Sequence, residues 1–412
     1  MVKKNIQSPF APKKFPRLPK VPGVNLSAGS AGIRHKKKKD LLLVTFDPGT
    51  SVSGVTTKNE VCGAPVEWSR KSLSLGKSRA LVVNSGNANV NTGHKGKLAA
   101  KRTAKQVASF LNCNEYEVVL ASTGVIGEEF PIKSVMQCLP KLYTSGGGDS
   151  WENAATSIMT TDTYPKGASR SVKILGHSVT ISGIAKGSGM IAPNMATMLA
   201  FIFTDANLSP RVLNGILKPA VAKTFNCITV DGDTSTSDMC MLFATRKSTH
   251  PAIANITGKE LGDFCIAIND ICNDLAMQII RDGEGVTKVA EIFVTGARSN
   301  KSAKFVANSI GNSPLFKTAL AASDPNWGRI ASAAGNAGQK IDSSRLTIGI
   351  GNQVVSIKGE LNSAYSEAKA ARHMKGTFVN ISLDLGQGNG SAKLWSTDLT
   401  HRYIDINAGY RS

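Results

Sequence analysis

Residues 184–206 read IAKGSGMIAPNMATMLAFIFTDA. The first half of this stretch is small, flexible and polar, with Lys186, Gly187, Ser188, Gly189, Pro193 and Asn194. The second half, from Met198 to Phe203, is an apolar run of strand length with the composition of a strand buried on both faces. Thr197 therefore stands where a glycine-rich loop enters a buried strand. A threonine in that place has one special option. Scission of the Ala196–Thr197 bond would give Thr197 a free α-amine beside its own hydroxyl. Such an amine titrates near neutral pH and can take the hydroxyl proton, which makes a weak nucleophile usable. Ala196 is small and leaves its carbonyl open to attack. An uncut threonine at an ordinary loop-to-strand junction is the alternative that these residues leave open.

The bulk properties set the frame. The chain has 412 residues and is 41% hydrophobic, enough for a folded protein with sizeable cores. No apolar run approaches the roughly 20 residues of a membrane helix. There is no apolar signal-peptide core near the N-terminus, so the expected location is the cytoplasm. Seven scattered cysteines without a CxxC pair read as thiols in a reducing compartment, and no metal site is expected. The net charge is +20, and residues 1–39 hold eleven Lys/Arg and no acid. A nucleic-acid partner is one reading of that excess. A solvated basic arm is preferred, because no nucleic-acid motif accompanies it and aromatics make up only 6% of the chain.

Along the chain, Pro9, Pro12, Pro16, Pro19 and Pro22 rule out a continuous helix. Residues 1–30 are expected as an extended basic arm, with order beginning at Ala31. HKKKK (35–39) reads as a solvated turn before a strand at 41–46. Strands are expected at 53–59 and 62–69, and RALVVNSGNANVNTGHKG (79–96) as a strand running into an Asn/Gly loop. Helices are expected at 101–111, 131–142, 150–159, 210–226 and 258–281. A strand over 117–121 should end in a turn at Ser122, Thr123 and Gly124, which can offer a hydroxyl and an N–H to one oxygen. Residues 171–183 read as a hairpin feeding the central stretch. CITVDGDTSTSD (227–238) reads as a strand ending in a hydroxyl- and carboxylate-rich loop. A second set of strands and helices follows. In it DPNWGR (324–329) opens a helix and GQGNG (386–390) forms a hairpin turn. The terminal DLTHRYIDINAGYRS is helical in pattern and should dock.

KGSGMIAPNMATML, NSGNAN, STG, DGDTSTSD and DPNWGR closely resemble the corresponding strings of the ornithine acetyltransferase (glutamate N-acetyltransferase) family. The resemblance runs from Ala31 to Ser412. It implies an α/β fold of that family's type, with layered sheets and helices in two α/β halves around a central nucleophile strand. It implies self-cleavage between Ala196 and Thr197 into an α chain (31–196, preceded by the 1–30 arm) and a β chain (197–412), assembled as an α2β2 heterotetramer. The implied reaction moves an acetyl group from N2-acetyl-L-ornithine to L-glutamate through an acetyl-threonine. No cofactor is bound, and acetyl-CoA serves some members as donor.

The same resemblance assigns roles to residues. Thr197 is the nucleophile, and Thr123 with Gly124 forms the oxyanion hole. Thr163, Lys186, Glu284, Asn407 and Ser412 join Thr197 in contacting substrate. Ser412 stands where threonine is usual and keeps the hydroxyl, Ser237 replaces a usual asparagine, and His401 and Gly409 depart from the pattern. Two rivals remain at this point: an N-terminal-nucleophile amidohydrolase or aminopeptidase, and a nucleic-acid-binding protein on an inactive enzyme fold.

Overall fold

The computed structural model describes residues 6–34, 38–192, 198–253, 255–256 and 258–409. The chain divides into two compact units. One comprises Pro12–Asn226 and Asp233–Ile279; the other comprises Met1–Ala11, Cys227–Gly232 and Ile280–Ser412.

The larger unit holds two sheets. The first has the order β1 (Val24–Gly29), β2 (Leu41–Phe46), β4 (Ala80–Asn87), β5 (Val118–Val125). The second has the order β3 (Ser51–Thr56), β10 (Met239–Ala244), β8 (Leu199–Thr204), β7 (His177–Lys186), β6 (Lys166–Ile174). Alternate residues of each sheet face the other: Leu42, Val44 and Phe46 of β2 meet Leu199, Phe201 and Phe203 of β8 and Met241 and Phe243 of β10 in one buried core. The outer face of the first sheet, through Leu41, Leu43, Val82 and Leu120, packs on α1 (Ala64–Leu75), α2 (Gly93–Leu111) and α3 (Ile132–Thr144). α5 (Pro210–Lys223) packs on β3. α6 (Gly262–Ile280) covers β7, where Ile271 and Leu275 crowd Gly183 so closely that a side chain there would press on them. The short α4 (Trp151–Ser157) contributes Trp151 to the inner core. This is the layered α/β arrangement expected from the sequence.

The smaller unit is one seven-stranded sheet, in the order β14 (Glu360–Leu361), β13 (Gln353–Ile357), β12 (Thr347–Ile350), β15 (Phe378–Asp384), β11 (Val289–Ala297), β16 (Gly390–Thr397), β9 (Ile228–Thr229). Strict alternation along β15, with Val379, Ile381 and Leu383 buried, marks a sheet with one covered face. The cover is α7 (Asn300–Gly311), α8 (Pro314–Ala322), α9 (Trp327–Gly335) and α10 (Glu367–Met374). The buried Lys288 ammonium ties two of them down by donating to Leu320 O at 3.0 Å and Met374 O at 2.8 Å, carbonyls at the ends of α8 and α10. The final helix, α11 (His401–Ala408), follows β16.

Several local expectations give way. The arm is not free as far as residue 30. Val24–Gly29 pairs antiparallel with β2, with Leu26 and Ala28 buried. The proline stretch before it is docked by its carbonyls. Proline lacks an N–H but keeps a full acceptor, and Pro19 O accepts from Trp151 Nε1 and Ser182 Oγ while Pro22 O accepts from Thr245 Oγ1. Residues 64–75 form a helix instead of a strand. Pro65 sits in its first turn and Gly76 ends it in the left-handed region at φ 65°, the usual proline-first, glycine-last asymmetry. GQGNG is no hairpin, because β11 lies between β15 and β16. The lysine run is only partly solvated. Its described members bind inward, Lys38 to Met159 O at 3.0 Å and Lys39 to Asp149 at 3.2 Å; residues 35–37 lie outside the described residues.

The inner core turns on an aromatic cluster. Phe46 and Phe243 stack at 4.7 Å, Phe203 and Phe243 at 5.5 Å, and Trp151 meets Phe203 at 5.3 Å. Phe203→Ala is predicted to destabilise the protein by about 3–5 kcal/mol, read as a lower denaturant midpoint with an unchanged slope.

Candidate active site

The register of the second sheet does the first work. β7 runs antiparallel to β8 with Lys186 opposite Leu199, and β10 runs parallel to β8 with Met239 opposite Leu199. Lys186, eleven residues before Thr197 in sequence, is thereby placed across from the start of β8. Thr197 and Ala196 themselves lie outside the described residues.

Lys186 is buried. Its ammonium donates to Thr160 Oγ1 at 2.8 Å and to Thr123 Oγ1 at 3.3 Å. A hydroxyl oxygen that accepts from an ammonium keeps its own hydrogen free to donate elsewhere. Thr123 belongs to the end of β5, and here the sequence reading needs correction: residues 122–124 continue the strand and do not turn out of it. Ser85 and Gly86 of β4 pair with Thr123 and Gly124 in parallel, with a bulge at Asn87. Gly124 has φ 132°, and a Cβ there would stand 2.3 Å from Gly86 C, so no other residue fits. The NSGNAN segment braces this strand end. Ser122 Oγ donates to Asn84, Asn84 Nδ2 donates to Asn87 O at 2.8 Å, and Asn87 Nδ2 donates to Glu128 O at 3.2 Å.

Behind Lys186 sits Asp162, which the sequence reading did not single out. Its carboxylate has no solvent exposure. One oxygen accepts from Lys166 Nζ at 2.7 Å and from Gly187 N at 2.6 Å; the other accepts from Thr160 N at 3.0 Å and lies 3.9 Å from Lys186 Nζ. Burial alone would raise this carboxyl, but the two ammonium groups and the hydrogen bonds outweigh it and hold Asp162 far below the usual carboxylate range. Lys38 feels the same cluster: burial lowers it, Asp162 raises it and Lys186 lowers it further. Thr163 is the half-buried neighbour of Asp162 in this loop. The one signal for Asp162 was an acid four residues before a lysine in TTDTYPK, a spacing that says nothing about burial outside a helix.

The smaller unit carries the other predicted residues. Glu284 is buried in the glycine turn after α6 and accepts from Asn407 Nδ2 at 2.7 Å. α11 is fastened over that turn: Thr400 Oγ1 donates to Gly285 O at 2.8 Å, and Tyr403 Oη donates to Asp231 at 3.2 Å. Gly285 has φ 73°, and a Cβ there would meet Tyr403 N at 2.7 Å. The C-terminal segment docks as its pattern implied. Ser412 lies outside the described residues. No group of three or more His, Cys, Asp or Glu side chains suited to a metal ion occurs among the described residues.

Asp162→Asn is predicted to destabilise the protein by about 3–5 kcal/mol at neutral pH, because it takes away the carboxylate charge that meets the buried Lys166 ammonium. The sign with pH follows from a depressed carboxyl. The stabilisation is full above the unfolded value of about 3.9 and is lost as pH falls through the lower folded value. Denaturant titrations from neutral to acid pH should therefore show the gap between wild type and variant narrowing only in acid.

Comparison with known proteins completes the picture. The model of the ArgJ family matches residues 25–412. The arginine biosynthesis bifunctional protein ArgJ of Gluconobacter oxydans is 49% identical over 405 residues, covering 98% of this chain and 95% of that protein. Its namesake from Agrobacterium fabrum is 47% identical over 408 residues, covering 98% and 99%. A crystal structure of the bifunctional ArgJ protein from Bacillus halodurans aligns with 50% of this chain and 96% of its own, at 41% identity and a TM-score of 0.48. By a family match that spans nearly the whole chain and near-full-length relatives at almost half identity, the chain belongs to the ArgJ family.

Proposed function

We propose that this chain is an acetyltransferase of arginine biosynthesis that moves an acetyl group from N2-acetyl-L-ornithine to L-glutamate. The relatives reported above bear the name of an arginine biosynthesis bifunctional protein. The structural observation that carries the reading is the buried Lys186 ammonium bonded to Thr123 at a strand end where Gly124 alone fits. A strand end so braced is suited to receive charge that develops on an acyl oxygen.

The chemistry follows from these groups. The chain cuts itself between Ala196 and Thr197, and the new Thr197 amine takes the hydroxyl proton, directly or through a water. The hydroxyl attacks the acetyl carbonyl of acetylornithine. Thr123, whose oxygen accepts from Lys186, donates its hydroxyl hydrogen to the oxyanion together with the Gly124 N–H. Ornithine departs, glutamate enters, and its amine takes the acetyl group in a ping-pong cycle. Lys186 also offers a positive charge to a substrate carboxylate. Glu284, oriented by Asn407, offers a carboxylate to an ammonium group, and Thr163 and Ser412 complete the proposed binding residues.

Acetyl-CoA would serve as a second acetyl donor without being a bound cofactor. The cut chains, 1–196 and 197–412, would assemble as α2β2 in the cytoplasm. Among the described residues no helix is long and apolar enough to cross a membrane.

The prediction is two bands of similar size on a denaturing gel, the larger species beginning TMLAF, and one uncut band for Thr197→Ala. Wild type should form acetylglutamate from acetylornithine and glutamate, and the variant should form none. A wild-type chain that stays whole, or one that releases acetate without acetylglutamate, would overturn the assignment.

A further inference from the structure

The basic segment ahead of β2 has no part in the reaction set out above, yet its described residues are sewn onto the strand end that carries Thr123 and Gly124. Asp40 folds the segment back on itself, accepting from Ala31 N and Ile33 N at 2.6 Å each. The Asp40 carbonyl accepts from Ser85 N at 2.9 Å. Arg34 lies against Gly86, where an added Cβ would meet Arg34 Cβ at 3.2 Å. Gly86 is the strand partner of Gly124.

Lys38 fastens the segment on its other side. Its ammonium donates to Met159 O at 3.0 Å. The same peptide group donates the Thr160 N–H to Asp162 at 3.0 Å, and that carboxylate oxygen lies 3.9 Å from Lys186 Nζ. Thr160 Oγ1 in turn accepts from Lys186 at 2.8 Å. The Met159–Thr160 peptide therefore links two ammonium groups. Burial lowers Lys38, Asp162 raises it and Lys186 lowers it again, so the two groups lie in one field. Other lysines nearby are spent, Lys166 on Asp162 and Lys39 on Asp149. Lys38 is half-buried, and its one hydrogen bond among the described residues is to Met159 O. An ammonium carries three donors, so N–H groups remain for a ligand.

The two substrates differ in the group that such a cation reads. Glutamate has two carboxylates. Acetylornithine has one, and carries an ammonium where glutamate carries the other. Lys186 can meet the carboxylate common to both. A second carboxylate taken out of water without a partner is costly. We propose that Lys38 is a specificity-determining residue that receives the side-chain carboxylate of the acceptor. The inference rests on the reading that glutamate takes the acetyl group. Lys38 then favours the acceptor by a charge that the donor cannot answer.

The test compares acetyl transfer to glutamate and to glutamine, which has the same chain length and no second charge, for wild type, Lys38→Arg and Lys38→Met. Lys38→Met should lower kcat/KM for glutamate by about 10–10²-fold, the worth of a charge-assisted hydrogen bond, with the loss mainly in KM. The preference for glutamate over glutamine should fall by the same factor, and Lys38→Arg should keep most of it. Formation of the acetyl-enzyme from acetylornithine, followed as the ornithine burst, should fall far less than transfer to glutamate. A fall shared equally by glutamate and glutamine, or by both half-reactions, would assign Lys38 to structure and overturn the proposal. Thermal unfolding beside wild type checks folding. Where Lys38→Met does not fold, Lys38→Gln is read in the same way, and failure of both to fold overturns the proposal. An unchanged glutamate preference in a folded variant without the charge also overturns it, while leaving the acetyltransferase reading intact. A wild type that transfers nothing to glutamate overturns both.

Discussion

Strand β8 is hydrogen-bonded along both edges and buried along its whole length, and the surroundings of the proposed nucleophile depend on that. A strand in the middle of a sheet cannot slip by one residue without turning its entire side-chain set over. Its two registers therefore fix two partners at its entrance. β7 brings Lys186 to one side, and β10 brings the residue after Asp238 to the other. The same pairing says what would hold the chains together after a cut at 196/197. β3, β6 and β7 would belong to the first chain and β8 and β10 to the second. The backbone ladders β7–β8 and β3–β10 would then join the products without any covalent link.

Electrostatics then orders the entrance. A carboxylate with no exposure is unfavourable unless its charge is met, and Asp162 is met by Lys166 and approached by Lys186. The arrangement leaves Lys186 fixed in orientation, with two threonine hydroxyls among its other partners. Positive charge held in a buried place suits substrates that carry carboxylates. It is local, and distinct from the diffuse basic excess of the chain as a whole.

Much of the architecture was legible from periodicity. The apolar run after Thr197, the hairpin at 171–183 and the long helix before Arg281 each stand close to where their patterns place them. Helix α1 was misread although its punctuation was present, because CGAPVEWS looks strand-like unless Pro65 and Gly76 are read as start and stop signals. Strand β1 was hidden by the prolines before it. The GQGNG error has another origin: which strand lies beside which is a non-local fact, and a short glycine-rich link can step over an intervening strand. Ser122–Gly124 was read as a turn because small residues signal one, whereas a bulge in β4 lets the strand continue.

The site was legible mainly through resemblance. Thr123 and Lys186, to each of which that resemblance gave a role, lie in contact, and Glu284 meets Asn407. Asp162 was not found, and Asp238 was read only as one carboxylate of the DGDTSTSD loop. The importance of Asp162 lies in burial and in a partner distant in sequence, Gly187, and it has no local pattern. The most direct measurement of the account is the intact mass of the purified protein after mixing with acetylornithine in the absence of glutamate. The account predicts one acetyl group on the chain that begins at Thr197, lost on adding glutamate, with ornithine released in a burst equal to the number of sites. An unmodified chain that still transfers acetyl groups only when both substrates are present would contradict it.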